Sequence, residues 1–110
     1  MTVKEAGYKR INITMTRGDS ESIRVTCSEP FAGGDAVTFT MREAVDSPIA
    51  LQKTVTAFDD GAALIVFEPE DTSPLAFGEY VYDIQATRAD GTVTTMVDPS
   101  RFTLGEEVTY

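Results

Sequence analysis

Residues 69–87, PEDTSPLAFGEYVYDIQAT, read as an acid-rich turn that runs into a strand, and the other segments of the chain look like partners for that strand. Pro69 fixes φ and has no N–H to give to a ladder, so the strand before it must stop there. Asp71, Thr72 and Ser73 carry side-chain oxygens that bond nearby backbone N–H groups, and Pro74 suits the start of a short turn or of one helical turn. Gly78 supplies backbone freedom immediately before the run 79–87. In that run Tyr80, Tyr82, Ile84 and Ala86 share one face, while Glu79, Val81, Asp83, Gln85 and Thr87 share the other. A period of two over nine residues predicts a half-buried antiparallel strand.

The tyrosines at the start of this strand admit two readings. One hydroxyl bonds back to the backbone of the preceding turn, as in a tyrosine corner, with Tyr80 and Tyr82 both eligible. Alternatively both rings are simply packed and their hydroxyls reach solvent.

Working outward, similar alternation recurs on both sides. Residues 1–7 are polar and read as a flexible arm. Ile11, Ile13 and Met15 form a first strand; Arg17, Gly18, Asp19 and Ser20 form a turn; Ile23, Val25 and Cys27 form a second strand, giving a hairpin or a sandwich corner. Residues 28–35 are a loop with Phe31 tucked under it, and Val37, Phe39 and Met41 mark a third strand. Residues 49–58 place Ile49, Leu51, Val55 and Ala57 on one face, interrupted by Lys53, as in an edge strand protected against unwanted pairing. Asp59-Asp60-Gly61 is a turn, and residues 62–67 are apolar on both faces, as for a strand covered by the core on one side and a loop or partner on the other. After the central strand, Ala89-Asp90-Gly91 reads as a tight hairpin, with Gly91 supplying the turn conformation. Residues 92–97 return as the partner strand, Asp98-Pro99-Ser100 break it, and residues 101–108 supply a short last strand.

Short strands separated by turn chemistry, with no sustained 3.6-residue apolar period, predict an all-β domain: an antiparallel sandwich, with a closed barrel as the alternative. The chain's 110 residues suffice for one domain, residues 1–110, that buries roughly two-thirds of its surface. No apolar run approaches the ~18 residues of a membrane span, and residues 1–10 lack the apolar core of a signal peptide. The expectation is synthesis and retention in the cytoplasm, with no membrane insertion.

Composition excludes several chemistries. There is no histidine, which removes the usual general base, the usual zinc ligand and every Ser-His or Cys-His arrangement. Cys27 is the single cysteine, so no internal disulfide forms, and at the end of an apolar alternation it reads as a small core residue. Eighteen acids against nine bases give a formal charge of -9, which disfavours DNA or RNA as partner. No catalytic residue, cofactor or metal site is expected. Arg17-Gly18-Asp19 spells an integrin-recognition tripeptide, but it falls where a turn is required and reads as structure. Asp59, Asp60, Glu68, Glu70, Asp71 and Asp90 invite calcium, yet no EF-hand spacing is present, and solvated turn residues account for them.

The segments MTRGDSESIRV, GGDAVTFTMR, PEDTSPLAFGEYVYDIQATRADGTVTTMV and RFTLGEEVT together resemble the immunoglobulin-like domain of phage and prophage tail proteins. Similar domains stand at the N-terminus of baseplate upper proteins and form small virion accessory proteins. The resemblance spans about residues 8–110, and the YDIQ…DG…T string is its most specific part. It implies an antiparallel immunoglobulin-like β-sandwich of about seven or eight strands, and a non-enzymatic structural protein of a virion (tail, baseplate or capsid surface). Its partners are then other virion proteins or further copies of itself, docked through exposed edge strands or an apolar patch for which Val81, Ile65 and Phe67 are candidates. Tyr80, Tyr82, Asp71, Gly78 and Gly91 are structural residues in this reading. The disulfide and core tryptophan of immunoglobulin variable domains are absent. A module binding a glycan or calcium through its loops is the alternative.

Overall fold

The structure, a computed structural model, describes residues 2–4 and 10–106. In chain order its strands are β1 (Thr2–Lys4), β2 (Ile13–Thr16), β3 (Glu21–Thr26), β4 (Ala36–Arg42), β5 (Ile49–Val55), β6 (Ala63–Phe67), β7 (Gly78–Thr87) and β8 (Val93–Gly105). One helical turn, α1 (Pro69–Thr72), lies between β6 and β7. The described chain is therefore all-β apart from that turn. The strands form two sheets, β1-β3-β6 and β2-β8-β7-β4-β5, with β7 and β4 central in the larger. Only β1 with β3 and β2 with β8 pair in parallel among the described strands; the remaining neighbours are antiparallel.

The alternation read from the sequence determines what is buried. Tyr80, Tyr82, Ile84 and Ala86 of β7 point inward, with Val37, Phe39 and Met41 of β4, and meet Ile23, Val25, Ala63, Ile65 and Phe67 from the smaller sheet in one cluster. Phe39 is fully buried at its centre, stacked on Tyr82 at 5.3 Å and edge-on to Phe67 at 5.0 Å and Phe102 at 5.9 Å. Because Phe67 belongs to the smaller sheet, the Phe39–Phe67 contact joins the two sheets directly. Such aromatic pairs add about 0.5–1.5 kcal/mol each to the burial of their surface.

Several local readings take a definite form. β2 and β3 lie in different sheets, so residues 17–20 are a corner and not a hairpin. β5 is the outer strand of the larger sheet, and Lys53, in register with Phe39, extends its ammonium to within 2.7 Å of the Asp71 carboxylate on α1. At residues 59–61 the chain turns with φ of 53° at Asp60 and 76° at Gly61, passing from the larger sheet to the smaller. Phe31 is buried beneath its loop and stacked on Phe58. Of residues 1–7, Thr2–Lys4 form β1 beside Arg24–Thr26 of β3, and the others lie outside the described residues, as do residues 107–108 of the expected last strand.

The break expected after Val97 is overturned. Asp98-Pro99-Ser100 do not end a strand; β8 continues through them for 13 residues. The register against β7 passes from Ser100 opposite Tyr82 to Val97 opposite Ile84, so Asp98 and Pro99 together oppose Asp83 in a bulge. A bulge leaves a residue outside the ladder, which is where a proline without an N–H is tolerated. A second irregularity follows between Val97 and Thr95, and consecutive Met96 and Val97 are both buried.

Phe39→Ala, by emptying the aromatic centre, is expected to lower unfolding free energy by about 3–5 kcal/mol in denaturant titrations, whereas Arg101→Ala on the exposed face should change it by less than about 0.5 kcal/mol.

Candidate functional site

The organising turn is built from side chains that bond to backbone. The Tyr80 hydroxyl donates to the carbonyl of Ala76 at 2.7 Å, four residues upstream, the contact of a tyrosine corner. The Tyr82 hydroxyl instead donates 2.6 Å to the carbonyl of Ile11, tying the entry of β2 to the core. Burial raises the pKa of both phenols, that of Tyr82 most strongly. Gly78 begins β7 at φ 136° and Gly91 turns the β7–β8 hairpin at φ 92°, both outside the range that other L-residues adopt readily. Asp71 closes a capping box: its carboxylate accepts from the Glu68 amide at 2.8 Å while the Glu68 side chain accepts from the third amide of α1. Burial works to raise the Asp71 pKa, but the Lys53 ammonium and the Glu68 amide outweigh it and hold the carboxyl below its usual range.

The Arg17-Gly18-Asp19 tripeptide is absorbed by the same corner. The Gly18 amide donates to Thr72 Oγ1 at 2.9 Å, the Arg17 amide donates to Gly105 at 3.0 Å, and the Arg17 guanidinium lies 4.1 Å from the centre of the Phe77 ring. A tripeptide whose backbone and arginine pack against the molecule is a turn, not a presented ligand.

At the other end, Asp35 and Arg88 join the 28–35 loop to the β7–β8 turn, a pair that the sequence reading does not single out. Asp35 Oδ2 accepts from the Ala32 amide at 3.0 Å and from Arg88 Nη1 at 3.0 Å, and Oδ1 accepts from the Ala89 amide at 2.9 Å. Arg88 also donates to the carbonyl of Glu29 at 2.8 Å and lies over the Phe31 ring. The Ala32 amide foremost, then Ala89 and Arg88, hold the Asp35 carboxyl below the usual carboxylate range despite desolvation. The signal in the sequence is slight: an aspartate seven residues after a proline-containing loop opens, and an arginine at the end of a strand, 53 positions apart. Beside this pair lies a cleft of about 490 Å3, bordered by Cys27, Glu29, Gly33, Asp90 and Thr94. Cys27 is half-buried against the core.

The acids considered for calcium do not converge. Asp71 is engaged with Lys53, Asp90 accepts from the Thr92 amide, and Asp59 is 87% exposed near Arg24. No cluster of three or more His, Cys, Asp or Glu side chains suited to a metal ion occurs among the described residues. No helix among them is long and apolar enough to cross a membrane.

The apolar surface also differs from the expected one. Ile65 and Phe67 face the core and are fully buried, and Val81 is only partly exposed. The outward residues of β6 are Leu64 and Val66, at 42% and 41% exposure, and nothing among the described residues covers them. The outer face of the larger sheet, by contrast, carries Thr38, Thr40, Gln52 and Thr54, hydrogen-bonded across strands.

Because the Asp35 pKa is depressed on folding, its stabilisation is complete above the ordinary carboxylate range and is lost as pH falls from about 4 through the folded value. Asp35→Asn should lower the melting temperature at pH 7 and flatten its decline below pH 4, read by circular dichroism melts across pH.

No protein-family model matches the chain, and no curated protein sequence matches it. Solved structures do. The fold is similar to the N-terminal domain of phage TP901-1 ORF48, with TM-score 0.50 and 14% identity, covering 96% of this chain and 94% of that one. CopC from Methylosinus trichosporium OB3b superposes with TM-score 0.44 at 18% identity, covering 74% of this chain and 76% of that one. The first Ig-like domain of human CD48 antigen superposes with TM-score 0.43 at 12% identity, covering 92% and 86%. The likeness read in the sequence to a phage immunoglobulin-like domain is thus accompanied by a likeness of fold to a phage protein's N-terminal domain over nearly the full length of both chains.

Proposed function

We propose that this chain is a non-enzymatic structural protein of a phage or prophage virion, a tail, baseplate or capsid-surface module that works by protein–protein assembly. The observation that carries the reading is the near end-to-end match of fold with the phage ORF48 N-terminal domain. It is the likeness of fold, added to the motif resemblance in the sequence, that brings a phage role to this chain.

The architecture supports an immunoglobulin-like sandwich of seven or eight strands. In such folds one sheet holds strands A, B and E and the other holds G, F and C, with a tyrosine near the start of F bonded back to the preceding corner. Here β1, β3 and β6 take the first set of positions and β8, β7 and β4 the second, with β5 added beside β4. Tyr80 supplies the corner contact. Two residues on, where antibody domains place the second cysteine, stands Tyr82, stacked on Phe39.

Chemistry points the same way. The polar groups that look reactive in the sequence are spent on structure, Asp71 on Lys53 and Arg17 on the corner, and so is the Asp35–Arg88 pair that the sequence does not mark. One observation favours the second reading, a ligand-binding module: the cleft beside Asp35 is lined by loops at one end of the molecule, where binding residues commonly sit.

Particles purified from the phage or lysogen that encodes the chain should contain it in stoichiometric amount by mass spectrometry and lose it only on disassembly. Its absence from intact particles sinks the proposal, as does turnover on a hydrolase panel. A melting temperature raised by calcium or a glycan would favour the ligand-binding reading.

A further inference from the structure

We infer that the free edge of β6 is a self-association edge: two copies of this chain pair β6 with β6 in antiparallel fashion about Ile65, and their smaller sheets join into one. This rests on the assembly reading and names a surface and a partner for it.

The topology leaves this edge open. β6 is the last strand of its sheet and pairs only with β3 among the described strands. Immunoglobulin constant-type sandwiches carry a further strand, D, outside the E position that β6 holds. Here residues 56–62 take the chain from β5 to β6, and no described strand lies at that place. An edge with unpaired N–H and C=O groups is a template for another strand, which proteins ordinarily guard with charge or bulges. Among the outer strands, β5 and β6 differ in this respect. β5 carries the inward Lys53; β6 reads ALIVF, without a charge, and is apolar on both faces.

The sequence of β6 is complementary to itself. With Ile65 opposite the partner's Ile65, Leu64 stands opposite the partner's Val66 and Val66 opposite the partner's Leu64. Four aliphatic side chains that are about two-fifths exposed in the single copy then cover one another. The β3 register places Arg24 beside Leu64 and Ser22 beside Val66, so a polar rim flanks the apolar centre. Elsewhere two copies of net charge -9 repel; this uncharged strand is where their approach costs least. Every contact is made twice about the two-fold axis, so the interface closes on itself and does not propagate. Five residues of strand edge bury less than the about 1,200 Å2 of stable complexes, and the dimer is therefore reversible and concentration-dependent.

Sedimentation equilibrium of the full chain between about 10 µM and 1 mM tests this. The expected result is a monomer–dimer equilibrium that Leu64→Lys/Val66→Lys weakens by roughly a hundredfold or more, as buried unpaired charge does at interfaces. Val93→Lys, also at an exposed apolar residue but on the larger sheet, should leave it unchanged. Leu64→Ser/Val66→Thr, which adds no charge, should weaken it less while keeping the native melting temperature. A chain monomeric throughout, or a dimer that survives the lysine pair, overturns the inference. So does capture of β6 by a strand of another virion protein in place of a second copy. A monomer still found in purified particles overturns this edge alone, whereas a β6 dimer absent from particles overturns the virion reading alone.

Discussion

The stack of Tyr82 on Phe39 is the contact on which the rest of the molecule depends. Its two rings come from the central strands of the larger sheet, and Phe39 carries the contact on to Phe67 in the smaller one. With one cysteine and no tryptophan, this chain joins its two sheets through aromatic carbon. The Tyr82 hydroxyl also extends to the Ile11 carbonyl and fixes the path of the segment entering β2. One side chain thereby sets both the sheet-to-sheet packing and the attachment of a sheet edge.

Polar groups repeat that division of labour at the two ends of the molecule. At one end Lys53, Asp71, Thr72 and Arg17 gather around α1; at the other Asp35 and Arg88 join the loop after β3 to the β7–β8 turn. These pairs sit where backbone amides would otherwise lack partners, as at 18, 32, 68 and 89. An amide left unpaired beneath a loop costs about 1–3 kcal/mol, more than an exposed ion pair contributes. Their importance lies in the amides they satisfy more than in the charges they oppose.

What was legible in the sequence follows from how local its cause is. The alternation in β4 and β7, the Asp-Gly turn after β7 and the guarded edge at Lys53 each depend on a few adjacent residues, and each is visible there; the choice of Tyr80 over Tyr82 for the corner contact is not, because it depends on where the Ala76 and Ile11 carbonyls lie. The path of β8 was not, because proline signals a break locally, and only the pairing with β7 shows that an extra residue is absorbed as a bulge. The outward face of β6 is not legible for a similar reason. ALIVF is apolar on both faces, so the alternation has no phase, and only the register with Ile23 and Val25 decides that Ile65 and not Leu64 enters the core. Asp35 and Arg88 stand 53 positions apart with no periodic mark to link them.

The parallel pairing of β2 with β8 has a kinetic meaning. The Ile11 amide finds Ser100 across 89 positions, and β2 takes its ladder from β8, the last strand of the described chain. A ribosome adding about 5–20 residues per second needs roughly 4–18 s to cover that interval. During it, β2 has no partner in its own sheet, while the β3–β6 and β4–β5 pairings are already available. The larger sheet is therefore completed from both ends of the sequence at once, in a late step that closes a long loop. The uncharged β6 is out of the ribosome for several seconds before the strands of the larger sheet are all in place.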